Sequence, residues 1–177
     1  MGSIKYIIFV LLMPVMTSGQ TVHVDSDRIV YKGTVKLDDV NKDELFARAN
    51  HVLSADIKGN ERVMITNDNG KEMIMTKGTM RLTSPYSMIS IVEYIFELSP
   101  DKGGFKYRID SVYIKETERG GETTKISSGE LLKGMDMSGA VAAATEKKLN
   151  EIDMKFEKII DRVITGMKKP ALLKNQQ

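Results

Sequence analysis

Ser87 to Lys115, SMISIVEYIFELSPDKGGFKYRIDSVYIK, decides the fold. In its first half Val92, Tyr94, Phe96 and Leu98 fall on one side of an extended chain. Ile89, Ile91 and Ile95 share the other side with Glu93 and Glu97. Apolar residues on both sides predict an interior strand. Asp101-Lys102-Gly103-Gly104 then supplies turn chemistry. Beyond it Phe105, Tyr107 and Ile109 alternate with Lys106, Arg108 and Asp110 in a strand running to about Lys115. Two long strands joined by so short a turn pair antiparallel.

Upstream, Lys71 to Leu82 reads as another strand, in which Gly78 marks a bulge or a close approach of the backbone. Asn67-Asp68-Asn69-Gly70 turns the chain back to a short strand at Glu61 to Thr66. Before that lies a helix. Asn41 is placed to cap it, Glu44 stands at the capping-box position, and Val40 with Leu45 has hydrophobic-staple spacing. Leu45, Ala49, Val52 and Leu53 form its buried stripe, and Glu44 with Arg48 makes a favourable i,i+4 pair. Arg28 to Leu37 alternates as a half-buried strand, preceded by a polar lead-in over 20–27.

Downstream, 117–137 is polar, glycine-rich and aperiodic, and reads as a long loop or linker. A helix follows over 138–168, with Ser138 as its candidate cap. Leu149, Ile152, Phe156, Ile159, Ile160, Val163, Ile164 and Met167 recur at steps of three and four. Pro170 stops it, leaving a tail over 169–177. The expected architecture is α+β: a mainly antiparallel five-stranded sheet in the order β-α-β-β-β-β, followed by a long C-terminal amphipathic helix.

The first nineteen residues have the three parts of a secretory signal peptide: Lys5, the apolar run Tyr6 to Met16, and Thr17-Ser18-Gly19 ahead of a cut before Gln20. The run is short for a span, which needs about 20 apolar residues. Export to the periplasm, cell surface or exterior is therefore expected. Loss of Lys5 leaves 25 basic against 24 acidic residues, a balance that suggests no broad attraction to nucleic acid. The chain has no cysteine, which excludes disulfides, thiol nucleophiles and thiolate metal sites.

The stretch 28–116 resembles the bacterial domain of unknown function 4468 family, which has a TBP-like fold. Three segments carry the resemblance: IVYKGTVKLDDVNKDELFARA, NDNGKEMIMTKGTM and VEYIFELSPDKGGFKYRIDSV. Where the family often places a Trp after the Arg-Ala pair, this chain has His51-Val52. The resemblance implies an exported protein with a curved antiparallel sheet backed by helix, and it supplies no activity.

Catalytic chemistry finds little support. The two histidines, His23 and His51, lie near the start of the exported chain and beside a helical stripe, and no Gly-x-Ser-x-Gly elbow is present. Glu93 and Glu97 share a strand face, but strand rise puts their Cα atoms about 13 Å apart, wide for a catalytic pair. Met73 with Met75, and Met135 with Met137, have a spacing that soft Cu(I) could use, though methionine is more simply an adaptable core filler. Glycine pairs at 103–104 and 120–121 form no phosphate cradle. No catalytic, cofactor or metal residue is assigned.

The expected function is that of a non-enzymatic envelope protein that binds a partner, either another protein or a second copy through the C-terminal helix. Tyr94, Phe96, Phe105 and Tyr107 on the hairpin, with Leu149, Ile152, Phe156, Ile159 and Val163 on the helix, are its candidate contact residues. They are equally candidates for the core. Two alternatives are a carrier with an apolar ligand between sheet and helix, and a hydrolase using carboxylates.

Overall fold

The computed structural model describes residues 21–25, 28–56, 61–68, 71–83, 88–101, 103–118 and 120–170. Seven strands and three helices follow in the order β1 (Thr21–Asp25), β2 (Arg28–Lys36), α1 (Lys42–Asp56), β3 (Glu61–Asp68), β4 (Lys71–Leu82), β5 (Ile89–Asp101), β6 (Gly104–Thr117), β7 (Thr123–Ser127), α2 (Ser128–Met135) and α3 (Ala140–Met167). The sheet runs β1-β2-β6-β5-β4-β3, antiparallel throughout. The hairpin read from Ser87 to Lys115 is its centre. β5 and β6 pair from Ile89 opposite Thr117 to Asp101 opposite Gly104.

β2 and β3 stand far apart in this order, so the segment joining them must cross the sheet, and that segment is α1. The Asn41 carboxamide accepts from the Glu44 amide at 2.8 Å, as the capping pattern predicted. Leu45, Ala49, Val52 and Leu53 are all buried. α3 lies on the same side. Phe156 packs at 4.9 Å from the Tyr31 ring and edge-on at 5.0 Å from Tyr94, with Ile152 and Ile160 buried beside it. Polar ties hold the helix in register: Lys148 pairs with Glu116 at 2.6 Å, and Glu151 accepts from the Thr83 amide at 2.8 Å.

Two glycines let the helices come this close. Gly33 stands opposite Tyr107 and Gly78 opposite Tyr94. A Cβ at either glycine would collide with the tyrosine ring across from it. Each ring therefore lies over a bare stretch of neighbouring backbone, which keeps the bulky face low enough for α1 and α3 to cover. At Gly78 the close approach expected from the sequence is the correct alternative.

Three expectations are corrected. The lead-in over 20–27 contains β1, which extends the sheet by pairing Thr21 with Lys32 through Asp25 with Arg28. The loop over 117–137 contains β7 and α2. β7 pairs with β6 from Tyr113 opposite Ser127 to Thr117 opposite Thr123, and Ser127 closes a capping box with Glu130 that starts α2. Both strands are five residues long, too short for alternation to stand out, and their order comes from a neighbour's backbone edge. Ser138 does not cap α3. Gly139, at φ 72°, is the N-cap, and its conformation turns the chain sharply from α2. The tail beyond Pro170 and the leader lie outside the described residues.

Candidate binding surface

α1 and α3, and α2 through Leu131, pack on the side of the sheet bearing Tyr31, Tyr94, Phe96 and Tyr107. Among the described residues, no helix packs on the opposite side. Its composition follows from strand parity, since residues paired across antiparallel strands share a face. On β5 it presents Ile91, Glu93, Ile95 and Glu97. On β4 the matching positions are Met73, Met75, Lys77, Thr79 and Arg81.

β6 contributes Lys106, Arg108 and Asp110, then, past the irregularity at Ser111, Tyr113 and Lys115. β2 adds Arg28, Lys32 and Lys36, and β7 adds Lys125. With Asp101 at the end of β5, the side chains described on this face include nine cations and four carboxylates, and the registers of β1 and β3 set Asp25 opposite Arg28, Glu61 opposite Lys77 and Asp68 opposite Lys71. The carboxylates do not alternate freely with the cations. Glu93 and Glu97 stand on the central strand, and most of the basic residues stand on the strands around it.

The apolar members of this face are half-buried. Ile91, Ile95, Met73 and Met75 are interleaved along and across the strands with Glu93, Glu97, Lys77 and Arg81. Lys115 binds Glu93 at 2.7 Å, and this hydrogen bond is the main cause that holds the Glu93 carboxyl below its ordinary value. Glu97 is shifted the other way. Burial among its neighbours raises it, the charge of Asp110 adds to the effect, and Arg108 opposes it. Arg108 also pairs with Asp110 at 2.8 Å. Lys125 sits 4.0 Å above the ring of Tyr113, a cation–π contact at the face's margin.

One recess opens beside this face. β2 leaves β6 at Ile109 and β7 joins it at Tyr113, so the ladder on that edge skips 110–112. Ser111 sits there at φ 52°. The notch holds about 200 Å³ and is lined by Arg28, Val30, Arg108, Asp110, Tyr113 and Ser127. The Ile29 amide donates to Ser128 Oγ at 3.4 Å, which ties β2 to α2 at its back.

The contact residues expected from the sequence lie elsewhere. Tyr94, Phe96, Phe105, Tyr107, Ile152, Phe156, Ile159 and Val163 are buried in the core, and Leu149 is half-buried against it. The structure brings them together, but on each other. Burial pushes the Tyr94 hydroxyl up to about 12, consistent with a core position behind Phe156. Met73 and Met75 lie on the open side of the sheet, whereas Met135 and Met137 are exposed at the end of α2 on the helical side. His51 is exposed on α1, across the sheet from Glu93 and Glu97.

The basic strands had a signal in the sequence: Lys and Arg recur with period two, as in Lys32 and Lys36 or Lys106 and Arg108. On one strand that pattern is ordinary solvated surface. Only the register between strands reveals that these residues gather on one uncovered face.

Two solved structures share this architecture. A TBP-like protein from Parabacteroides distasonis ATCC 8503 matches with a TM-score of 0.68 at 11% identity, over 84% of this chain and 98% of that one. The fold is TBP-like. A DUF4468 family protein from Bacteroides ovatus ATCC 8483 matches with a TM-score of 0.60, also at 11% identity, over 85% of this chain and 92% of the other. The resemblance to the domain of unknown function 4468 thus holds at the level of fold. No sequence-family model matches the chain, and no curated protein matches it.

Proposed function

We propose that this chain is an exported, non-enzymatic module that binds a protein partner of the cell envelope through the open face of its TBP-like sheet. One observation carries the reading: the three described helices cover the same side, leaving the other with half-buried Ile91, Ile95, Met73 and Met75 interleaved with charged side chains. A mixture of apolar and polar side chains on one face is the ordinary composition of a non-obligate protein interface. The leader over 1–19 supports export.

The competing readings are less well supported. A carrier would hold its ligand between sheet and α3, where Phe156 already fills the space against Tyr31 and Tyr94. Self-association through the helical stripe would have to expose residues such as Ile152 and Val163 that are buried in the chain's own core. For a hydrolase, Glu93 is engaged by Lys115, and the exposed His51 lies on the other side of the sheet.

The test is a photocrosslinking amino acid in place of Ile95, expressed in the native cell, with the same residue at exposed Lys147 on α3 as the control. One envelope protein captured from Ile95 and not from Lys147 is the expected result. Recovery of the protein in the cytoplasm with its leader intact, or equal capture from both positions, overturns the reading.

A further inference from the structure

We infer that Met135, Met137 and Met154 are modification sites, where a peroxide oxidises the thioether to the sulfoxide while the fold is kept. The inference is independent of what covers the open face of the sheet. It starts from the sulfur in the chain. There is no cysteine, so no thiolate competes for an oxidant, and methionine supplies all the sulfur. Adaptable core filling accounts for Met167, which is fully buried. It does not account for the other three. Met135 is 46% exposed, Met137 58% and Met154 54%.

Met135 ends α2, and Met137 lies between it and Gly139, the N-cap of α3. From Met135 to Ala144 every residue is exposed except Ala142, and Asp136 carries the one charge. Met154 lies on the solvent side of α3, beside Lys147 and Asn150. At each position water can solvate a sulfoxide without displacing a packed neighbour. In the step itself the sulfur lone pair attacks one peroxide oxygen, and the S–O bond forms as the O–O bond breaks. The departing hydroxide takes the proton that the transferred oxygen loses, giving water. Sulfur gives up the electron pair that the peroxide gains. Met73, Met75, Met80 and Met88 are half-buried and come second in access. Met167 comes last, because its sulfur is reached only when the last turn of α3 opens, and Arg48 holds the carbonyl of that residue at 3.0 Å. Oxidation therefore changes the surface and spares the core. The apolar stretch between α2 and α3 becomes polar.

The experiment titrates the mature full chain with hydrogen peroxide and reads the oxygen gained by each methionine through peptide mass spectrometry. Far-UV circular dichroism follows the fold alongside. Among the described methionines, Met135, Met137 and Met154 are expected to gain oxygen first, the half-buried four later and Met167 last. The spectrum should be unchanged when the first three have reacted. Met135→Leu with Met137→Leu and Met154→Leu keeps the apolar volume at each site. It should abolish the early uptake and leave the later uptake in place. In urea all the methionines should react alike.

Oxidation of Met167 as early as Met137, loss of the spectrum once the first three have reacted, or undiminished early uptake in the triple variant overturns the inference. So does the same order of reaction in urea, since neighbours in sequence, and not burial, would then set it.

Discussion

The ring of Tyr94 on β5 lies across Gly78 of β4, so close that a Cβ on Gly78 would overlap it. The same relationship holds between Tyr107 and Gly33 two strands away. Phe156 of α3 meets Tyr94 edge-on from above, which leaves the ring no room to rise. Gly78→Ala should therefore destabilise the fold by about 1–3 kcal/mol, the usual range for overpacking a core. Replacing Tyr94 with leucine should recover part of that loss, because the two changes share one space. Urea denaturation of the two single variants and the double variant measures the coupling. Simple additivity would show that ring and glycine do not compete.

Arg48 couples the two large helices. Its Nε donates to Glu44 at 2.9 Å within α1, and its Nη1 donates to the Met167 carbonyl at 3.0 Å, in the last turn of α3. The guanidinium is buried and places positive charge where the helix dipole is negative. Nearby, Gly166 packs so closely on Val52 that a Cβ would clash. Arg48→Leu should cost about 1.5–3 kcal/mol, as for a buried hydrogen bond to a charged group. Hydrogen exchange should show the loss first at the end of α3. Uniform acceleration across the sheet would contradict a local tie.

Much of this fold was legible because its central elements are long and strongly patterned. β5 and β6 alternate over more than a dozen positions, the start of α1 carries its own cap, and α3 repeats its stripe over eight apolar residues. β1, β7 and α2 were not legible, because each is short and takes its order from β2, from β6 or from α3. The candidate surface was hidden for a related reason. Aromatic residues are the visible feature of the hairpin, and they went to the core. The open face is assembled by register, and no single segment from Arg28 to Lys125 contains it.

The two glutamates of the open face should have opposite pH signatures. The folded-state value of Glu93 lies below the ordinary 4.5 because Lys115 bonds its charged form. Its stabilisation is therefore present above about pH 4.5 and lost as pH falls through the depressed folded value. The value of Glu97 is raised by burial and by Asp110. Its contribution is fully favourable below the ordinary carboxylate value and is lost as pH rises through the raised folded one. Glu93→Gln should thus lower stability at neutral pH by about 0.5 kcal/mol, and that loss should vanish in strong acid. Glu97→Gln should raise stability at neutral pH relative to the parent. Thermal melts across the acid range separate the two, and parallel curves would refute the assignment.

Phe156 decides whether α3 belongs to its own sheet in solution. It is fully buried, sits between Tyr31 and Tyr94, and faces a sheet lowered by Gly33 and Gly78 to receive it. Burial, followed by the charge and hydrogen bond of Asp153 on the same helix, raises the Tyr31 hydroxyl well above its ordinary value, so the phenol beneath Phe156 stays neutral. Phe156→Ala should cost about 3–5 kcal/mol, the range for truncating a core aromatic. Phe156→Leu, which keeps most of the apolar volume, should cost much less. The midpoint of urea unfolding should fall in that order and be independent of protein concentration. A midpoint that rises with concentration in the parent chain would mean that α3 finds its sheet on a second copy.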